Sequence, residues 1–472
     1  MAGFAPFSLF PVPVLTLAVL FMLWLRADSA RAAFKLGWWF GLGLFGAGVG
    51  WLYVALHDYG SMVAPLAGIA ILLFAAFLAL LPGLAGALQA RCAAPAWVRL
   101  TLAMPACWVA VELLRGYLLT GFPWLSLGYA QTPPSPLAGY APLLGVYGVS
   151  LLVAVSAGLL ALAWAEQRKA AFGVLALLWL AGFGLRAVEW TQPQGAPLKV
   201  ALVQGNIPQD RKFEDGFRLG TLELYRKLAS QTGDARLVVL PETALPLLHD
   251  DLSPDYLAAL TATVREQGGD LLVGLFEQQG QAFYNSVVSL GTSPEQHYRK
   301  DHLVPFGEFI PLRTLFGALI NDVLQIPMSD LARGGVTQPP LAVAGQQVAV
   351  NICYEDVFGE EIVRALPAAT LLVNVTNDAW YGHSHAAAQH NQISQLRALE
   401  SGRMMLRATN TGLTSIIGRD GVVQAALPQF QEAVLTSAAQ GYSGSTPYAR
   451  WGNALVLGLL VLMLGSARRL RR

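Results

Sequence analysis

The chain has 472 residues, of which 54% are hydrophobic and only 13% are charged, and its formal net charge is +1 at pH 7. Soluble proteins carry about a quarter charged residues, so this composition excludes an ordinary soluble protein. The near-zero net charge gives no indication of a nucleic-acid partner. The three cysteines, Cys92, Cys107 and Cys353, cannot all pair, and no Cys/His spacing resembles a metal site.

The charged residues are distributed unevenly along the chain. Residues 1–190 and 452–467 are poor in charge, whereas residues 198–450 have the composition of a globular domain. This contrast predicts a membrane protein with a large soluble insert. The predicted domains are a helical transmembrane bundle at 1–190, a soluble domain at 198–450, and a transmembrane helix with a basic tail at 452–472.

The membrane part is predicted from apolar segments, because a spanning helix needs about 20 largely apolar residues. The first half of the chain has about six such segments, and a shorter one precedes a run of arginines at the C-terminus. No cleavable signal peptide is predicted, because the first apolar run lacks a basic lead. The predicted spans lie near 8–26, 36–57, 64–89, 98–119, 143–165, 170–188 and 452–467.

The loops between the predicted spans differ in basic residues. Lys and Arg occur in the loops at 27–35, 90–99 and 166–169, whereas the alternate loops at 57–63 and 120–142 contain neither. Short loops rich in Lys and Arg lie on the cytoplasmic side. The pattern therefore predicts that the soluble domain faces away from the cytoplasm and that the C-terminal tail lies inside.

The soluble domain has short β-rich runs that alternate with segments of helical periodicity. This alternation predicts an α/β layered fold with buried sheets. Residues 191–197 contain two prolines and a glycine, and we interpret them as a linker. The predicted helices lie at 214–230, 254–267 and 386–408. The predicted strands lie at 198–204, 236–240, 270–275, 283–290, 347–353 and 370–376.

Three residues with catalytic chemistry stand at strand ends: Glu242 follows the strand at 236–240, Lys300 ends a further run at 296–300, and Cys353 ends the strand at 347–353. Taken singly, each has an ordinary interpretation. A cysteine that ends an apolar strand usually packs in the core, and a glutamate after a strand often stabilises a helix N-terminus. Reactive groups gather at strand ends in layered α/β folds, so the three together favour an active site.

The order of these residues resembles a known arrangement. Glu242, Lys300 and Cys353 match, in this order, the Glu–Lys–Cys triad of the nitrilase superfamily, whose fold is an αββα sandwich. Within that superfamily the chain is similar to the bacterial apolipoprotein N-acyltransferase family, both in the soluble domain and in the membrane half. The stretches that carry this similarity are 112–116, 121–125, 203–209, 302–309, 377–382, 397–403 and 407–412.

The resemblance implies a role for each member of the triad. Cys353 is the nucleophile that carries the acyl group as a thioester, because a thioester divides a difficult acyl transfer into two easier steps. Glu242 is the proton acceptor that activates the thiol. Lys300 stabilises the oxyanion of the tetrahedral intermediate and favours the thiolate.

The resemblance also implies three supporting residues: Glu308, Tyr354 and Glu355. Glu308 matches a further glutamate that the family needs for activity, and we expect it to hold Lys300 or Glu242 by hydrogen bonding. Tyr354 and Glu355 flank the nucleophile, and we expect them to support the site without reacting.

The resemblance further implies the substrates and the location. The acyl donor is a phospholipid in the bilayer, and the acceptor is the N-terminal amine of an S-diacylglyceryl-cysteine in a lipoprotein. No metal or cofactor is expected. The chain is expected to be a multi-pass protein of the bacterial inner membrane whose catalytic domain faces the periplasm.

Two other functions are compatible with the same triad. A membrane-anchored carbon–nitrogen hydrolase, such as an amidase, would use water at the thioester, but it would need no polytopic bundle. A non-catalytic scaffold with a decayed nitrilase domain is a third hypothesis, and the retention of Glu242, Lys300 and Cys353 together argues against it.

Two features near the membrane complete the interpretation. The family usually has eight spans, and no span precedes Phe4 here; we expect either that the natural start lies upstream or that this homologue lacks that helix. Apolar side chains around 304–320, namely Phe306, Phe309, Leu315 and Phe316, predict a mobile lid that dips into the bilayer.

Overall fold

A computed structural model describes residues 1–166, 168–310 and 330–470. Part of the predicted lid, including Leu315 and Phe316, lies outside the described residues. The end of the predicted basic tail, residues 471–472, also lies outside them.

The chain divides into two compact units. We call them the helical unit and the α/β unit. The helical unit comprises Met1–Tyr53, Val63–Glu189 and Thr446–Arg472. The α/β unit comprises Val54–Met62 and Trp190–Ser445. The division agrees with the change in composition along the chain, except that the short segment Val54–Met62 clusters with the α/β unit.

The helical unit contains three helices that are long and apolar enough to cross a membrane, judged over the described residues: Ala64–Ala90, Ala96–Thr120 and Pro136–Ala165. Two apolar helices are shorter, Pro11–Leu25 and Ala170–Leu185. This unit also contains the helices Ala30–Gly48, Pro447–Trp451 and Ala454–Arg469.

Small residues allow the helices Ala30–Gly48 and Ala64–Ala90 to approach closely. A Cβ added at Gly37 would lie 2.3 Å from the backbone oxygen of Pro82, and one at Gly41 would lie 2.9 Å from the Cα of Ala79. Helices inside a bilayer gain little from the hydrophobic effect, so they associate through close contacts of this kind.

Two charged residues of the helical unit are buried and bind the loop that follows their own helix. Arg115 donates from Nη1 to the oxygen of Phe122 at 2.6 Å and from Nη2 to Ser126 Oγ at 3.0 Å. Glu112 Oε1 accepts from the backbone N–H of Leu127 at 3.1 Å. These contacts compensate for the burial of charge in an apolar helix.

The α/β unit contains two six-stranded sheets with the orders β12-β1-β2-β3-β4-β5 and β11-β10-β9-β8-β7-β6. Both sheets mix parallel and antiparallel pairs; β1, β2 and β3 are parallel, as are β7, β8 and β9. The strands are β1 Thr191–Gln204, β2 Leu237–Val239, β3 Asp270–Gln279, β4 Ala282–Gly291, β5 Gln296–Arg299, β6 Leu341–Val343, β7 Gln346–Ile352, β8 Leu371–Thr376, β9 Met405–Thr409, β10 Ser415–Ile417, β11 Val423–Ala426 and β12 Ala433–Gly444.

The two sheets share one apolar core. Val200 and Val239 from the first sheet join Val350 and Val373 from the second in a single buried cluster. Alternate side chains of a strand point to opposite faces, so the other face of each sheet remains to be covered. Helices cover these outer faces. The order of layers is therefore αββα, and the predicted fold class, a helical membrane bundle plus a nitrilase-like α/β sandwich, is confirmed.

Among the described residues, four helices pack on the outer faces. Asp215–Ala229 and Pro254–Glu266 pack on the first sheet, and Gly359–Ile362 and Ala386–Ser401 pack on the second. Fully burying one Val or Leu side chain contributes about 1.5–3 kcal/mol, so these apolar layers hold the sandwich together.

The predicted linker at 191–197 is wrong, because these residues form the first half of β1. They pair with β12, and the register shifts between Gln194 and Leu198. Pro197 lies within this irregularity, which is a place where a strand tolerates proline. The side chain of Gln440 fills the gap by donating to the oxygens of Gln194 and Gly195.

The predicted helix at 386–408 is too long. The helix ends at Ser401, because Gly402 adopts a left-handed conformation with φ +64°. Glycine is the residue that most readily ends a helix in this way. The apolar residues that follow belong to β9, Met405–Thr409.

Candidate active site

The candidate catalytic residues lie beyond the ends of three strands and come from both sheets. Glu242 follows β2, Lys300 follows β5 and Cys353 follows β7. All three side chains are buried, with exposed fractions of 7%, 1% and 9%. The structure therefore brings the three predicted residues into the interior of the α/β unit.

Lys300 lies between two carboxylates. Its Nζ is 2.9 Å from Glu308 Oε1 and 3.5 Å from Glu242 Oε1. Asn285 links the same two oxygens, since its Nδ2 donates to Glu242 Oε1 at 2.7 Å and to Glu308 Oε1 at 3.2 Å. One ammonium and one amide therefore hold both carboxylates, as the burial of Glu242 beside a second carboxylate requires.

The protonation of Lys300 is set by these neighbours. Burial lowers its pKa, but Glu308, Glu242 and Cys353 outweigh burial, and the pKa is raised well above its ordinary value. Lys300 is therefore a permanent cation at physiological pH. A fixed cation that is buried stabilises a developing negative charge more strongly than it would in solvent.

The Cys353 thiol is in an environment that opposes ionisation. Burial raises its pKa well above the ordinary value, and Glu242 and Asp378 raise it further, whereas Lys300 lowers it. A thiol of this kind does not ionise spontaneously at neutral pH. Its neighbour Glu242 is, of the two carboxylates that raise this pKa, the one with the larger effect.

The second oxygen of Glu242 is held by the other sheet. Oε2 accepts from the backbone N–H of Asn377 at 2.9 Å, beyond the end of β8. The Asn377 side chain is itself fixed, since Nδ2 donates to Gln209 Oε1 at 2.7 Å and Oδ1 accepts from Asn410 at 3.1 Å. Both oxygens of the carboxylate therefore have defined partners and directions.

The backbone of Cys353 is strained. Its φ is +52°, a left-handed conformation that L residues rarely adopt. Such strain costs about 1–3 kcal/mol and is concentrated at functional sites. Here it forms the sharp turn from β7 into the short helix Cys353–Val357, and the carbonyl of Cys353 accepts from Asn374 Nδ2 at 3.2 Å.

Glu355 is fully occupied by donors. Oε1 accepts from the backbone N–H groups of Asp301 at 2.7 Å and His302 at 3.0 Å. Oε2 accepts from the N–H of Ile352 at 2.7 Å and from the hydroxyl of Tyr298 at 2.9 Å. Burial raises its pKa to about 7, against the donors that favour the carboxylate. Glu355 thus joins the segments that carry Lys300 and Cys353.

The remaining predicted residues lie around the triad. The ring of Tyr354 contacts His302 and Phe358, with ring centroids 5.9 Å and 5.2 Å away. Glu308 is held by its own loop as well as by Lys300, since Oε2 accepts from the N–H of Val304 at 2.8 Å. Among the described residues, no group of three or more His, Cys, Asp or Glu side chains is arranged to hold a metal ion.

Two residues of this site carry no signal in the sequence. Asn285 lies inside the predicted strand 283–290 and is indistinguishable there from other polar strand residues. Lys212 lies in a loop, yet it is buried. Its Nζ donates to the backbone carbonyl oxygen of Glu242 at 3.2 Å and to Thr243 Oγ1. Burial lowers the pKa of Lys212 to about 8. Only the fold brings these side chains to the triad.

Gly274 provides a test of the position of Glu242. A Cβ at this position would lie 2.3 Å from the oxygen of Pro241 and 2.8 Å from the Cα of Glu242, both backbone atoms. We expect Gly274→Ala to displace Glu242 and to slow the alkylation of Cys353 by iodoacetamide at least about tenfold, since a shift of about 1 Å can cost about 100-fold. The measurement is peptide-resolved mass spectrometry over time.

The control for this variant is Gly220→Ala, where an added Cβ meets no atom within 4 Å. We expect its alkylation rate to equal that of the natural protein. Equal rates for Gly274→Ala and Gly220→Ala would contradict the inferred dependence of the thiol on the position of Glu242.

Comparison with known proteins gives two family matches. Residues 1–159 match the family profile described as apolipoprotein N-acyltransferase N-terminal domain. Residues 199–448 match the profile described as carbon–nitrogen hydrolase. The two matches together cover both units of the chain.

Two relatives that match over nearly the whole chain are both named apolipoprotein N-acyltransferase. The apolipoprotein N-acyltransferase of Nitrosomonas europaea is 53% identical over 98% of this chain and 94% of its own length. The apolipoprotein N-acyltransferase of Methylococcus capsulatus is 45% identical over 100% of this chain and 94% of its own length. A solved carbon–nitrogen hydrolase superfamily protein from Xanthomonas campestris is 18% identical, with a TM-score of 0.38 over 56% of this chain and 97% of that one.

Proposed function

This chain belongs to the apolipoprotein N-acyltransferase family and is an acyltransferase, and from that premise we propose its substrates and mechanism. The donor is a phospholipid. The acceptor is the N-terminal amine of an S-diacylglyceryl-cysteine in a lipoprotein. The acyl group passes through a thioester on Cys353 in a ping-pong reaction.

One observation carries the proposal, namely the buried Lys300 that is held between Glu242 and Glu308 and interacts electrostatically with Cys353. A buried cation and a buried base next to a buried thiol suit acyl transfer, because the thiol must ionise and the resulting tetrahedral oxyanion must be stabilised. Glu242 is the proton acceptor in this proposal, and Lys300 is the group that stabilises the oxyanion.

The first half-reaction forms the thioester. Glu242 takes the proton of Cys353, and the sulfur attacks the ester carbonyl of the phospholipid. The carbonyl electrons move to oxygen, and Lys300 stabilises that charge. When the intermediate collapses, the C–O bond of the ester breaks, Glu242 returns its proton to the leaving alkoxide, and a lysophospholipid departs.

The second half-reaction forms the amide. The neutral α-amine of the lipoprotein attacks the thioester carbonyl, and Glu242 accepts a proton from the nitrogen. Collapse of this intermediate breaks the C–S bond. The Cys353 thiolate leaves and recovers its proton from Glu242, so that the enzyme returns to its starting state.

Glu308, Tyr354 and Glu355 support the reacting groups in this proposal. Glu308 fixes the ammonium of Lys300 at 2.9 Å. Glu355 fixes the backbone on either side of the site through three N–H donors and also accepts from the Tyr298 hydroxyl. Tyr354 contributes to the ring cluster beside the nucleophile. None of the three needs to exchange a proton with the substrate.

The composition of the helical unit is consistent with a donor that resides in a bilayer. Three helices of the described chain are long and apolar enough to cross a membrane. We propose that the protein lies in the bacterial inner membrane with the α/β unit on the periplasmic side. The alternation of basic residues between its loops supports this orientation.

A thioester that reacts with water would make the protein a carbon–nitrogen hydrolase, and the match of residues 199–448 is compatible with that chemistry. The whole-chain relatives favour acyl transfer. The choice depends on whether an amine or water discharges the acyl-enzyme.

A single-turnover experiment tests this choice. The purified full-length protein is incubated with a phospholipid that carries a labelled acyl chain, and a diacylated lipopeptide is then added. We expect the label on the peptide that contains Cys353, followed by its transfer to the amine of the lipopeptide. Cys353→Ala should carry no label, whereas Cys107→Ala, which removes another buried cysteine, should behave like the natural protein.

Two results would contradict the proposal. Release of the label as free fatty acid at the same rate with and without the lipopeptide would identify a hydrolase. Full transfer by Cys353→Ala would exclude Cys353 as the acyl carrier.

The orientation is tested separately with a membrane-impermeant maleimide. We expect Ser230→Cys, exposed on the α/β unit, to react in cells whose outer membrane alone has been permeabilised. Asp28→Cys, in a loop predicted to be cytoplasmic, should react only after lysis. The reverse pattern would contradict the periplasmic assignment.

A further inference from the structure

A cluster of buried charged side chains lies next to the nucleophile and takes no part in the proposed mechanism. Its members are His390 on the helix Ala386–Ser401, Asp356, Asp378 and Arg407. Each is at most 3% exposed. Burying four ionisable groups is costly unless they compensate one another, so their contacts require an explanation.

His390 lies at the centre of this cluster. Its Nδ1 is 2.8 Å from Asp378 Oδ1, and its Nε2 is 2.9 Å from Asp356 Oδ1. Nε2 is also 3.3 Å from the backbone oxygen of Cys353. Both ring nitrogens therefore face carboxylates, and one of them also faces the carbonyl of the nucleophile.

Arg407 closes the cluster from the second sheet. Nη2 lies 2.9 Å from Asp378 Oδ2, and Nη1 lies 3.3 Å from Asp356 Oδ2. Nη1 also donates at 2.6 Å to Oδ1 of Asn374, whose Nδ2 donates to the Cys353 oxygen. The carbonyl of Cys353 thus has side chains of this network on two sides.

The charges of the cluster balance when His390 is protonated, since two carboxylates then face one imidazolium and one guanidinium. Burial and Arg407 lower the pKa of His390, but Asp356 and Asp378 outweigh them and raise it to about 9. Burial opposes the ionisation of Asp378, yet His390 and Arg407 bring its pKa down to about 2. The imidazolium is therefore the state of His390 at neutral pH.

The cluster connects the two reacting groups of the site. On one side it reaches the strained backbone of Cys353. On the other side it holds Asp378, the neighbour of Asn377, whose N–H donates to Glu242 Oε2. A fixed distance between thiol and base is what proton transfer requires.

We propose that His390 is a positioning residue that sets the distance between the Cys353 thiol and the Glu242 carboxylate, through the Cys353 carbonyl and Asp378. The inference rests on the proposed roles of Cys353 and Glu242. His390 touches neither the substrate nor the sulfur in this proposal. It acts by holding the left-handed turn at Cys353 and the segment that binds the base.

The test compares two variants on one helix. His390→Gln keeps a polar side chain but removes the positive charge. Glu400→Gln is the matched control, because Glu400 is equally buried and pairs with Arg397 at 3.1 Å on the same helix, outside this cluster. The full-length proteins are purified in detergent, and thermal unfolding and the pH dependence of Cys353 alkylation by iodoacetamide are measured.

We expect both variants to unfold at lower temperature than the natural protein. Only His390→Gln should slow alkylation, at least tenfold at pH 8, with its pH midpoint moved upward because two carboxylates then lack their imidazolium. Equal alkylation profiles for His390→Gln and Glu400→Gln would overturn the proposal and leave His390 a purely structural residue.

A milder variant keeps the test decisive if His390→Gln does not fold. Ser394→Ala removes a hydroxyl that donates to Asp356 Oδ2 and changes no charge. We expect alkylation to slow at least threefold, and an unchanged rate would overturn the proposal. Alkylation needs no lipid, so failure of acyl transfer with intact alkylation would count against the proposed function and not against this inference.

Discussion

The site depends on the burial of one cation. Lys300 is fully buried and is stabilised there by the half-buried Glu308 and the buried Glu242, and the burial of Glu242 in turn needs Lys300. Removing one partner of such a pair costs about 3–5 kcal/mol, because the other charge is left without compensation. The same positive charge lowers the pKa of the Cys353 thiol, which burial and Glu242 raise. A single interaction therefore contributes to stability and, in the proposed mechanism, to reactivity.

The αββα sandwich explains why these groups meet. Glu242 and Lys300 follow strands of one sheet and Cys353 follows a strand of the other, so the packing of the two sheets sets their separation. The N–H of Asn377 crosses from the second sheet to Glu242 and fixes that separation at the base. The strain at Cys353 is maintained by the side chains that hold its carbonyl, which is the common way in which a fold stabilises a reactive conformation.

Much of this arrangement could be predicted from the sequence, because strand periodicity and residue type are local. Short apolar runs predicted the strands before Glu242 and Cys353. The uneven distribution of charged residues predicted which segments belong to the membrane part and which to the soluble domain. Local signals also misled, since the prolines of 191–197 concealed a strand, and the apolar residues after Gly402 continued a helical pattern. Asn285 and His390 could not be predicted, because their partners lie tens of residues away in the chain.

The central claim is that the charge of Lys300 controls the ionisation of Cys353, and the most direct measurement is the thiol pKa in Lys300→Met. The alkylation rate of Cys353 by iodoacetamide, followed against pH in the full-length protein, reports this value, and Lys227→Met, at an exposed lysine, is the control. The account predicts an upward shift of the midpoint by more than one pH unit in Lys300→Met alone. An unchanged midpoint in a folded Lys300→Met protein would contradict the account.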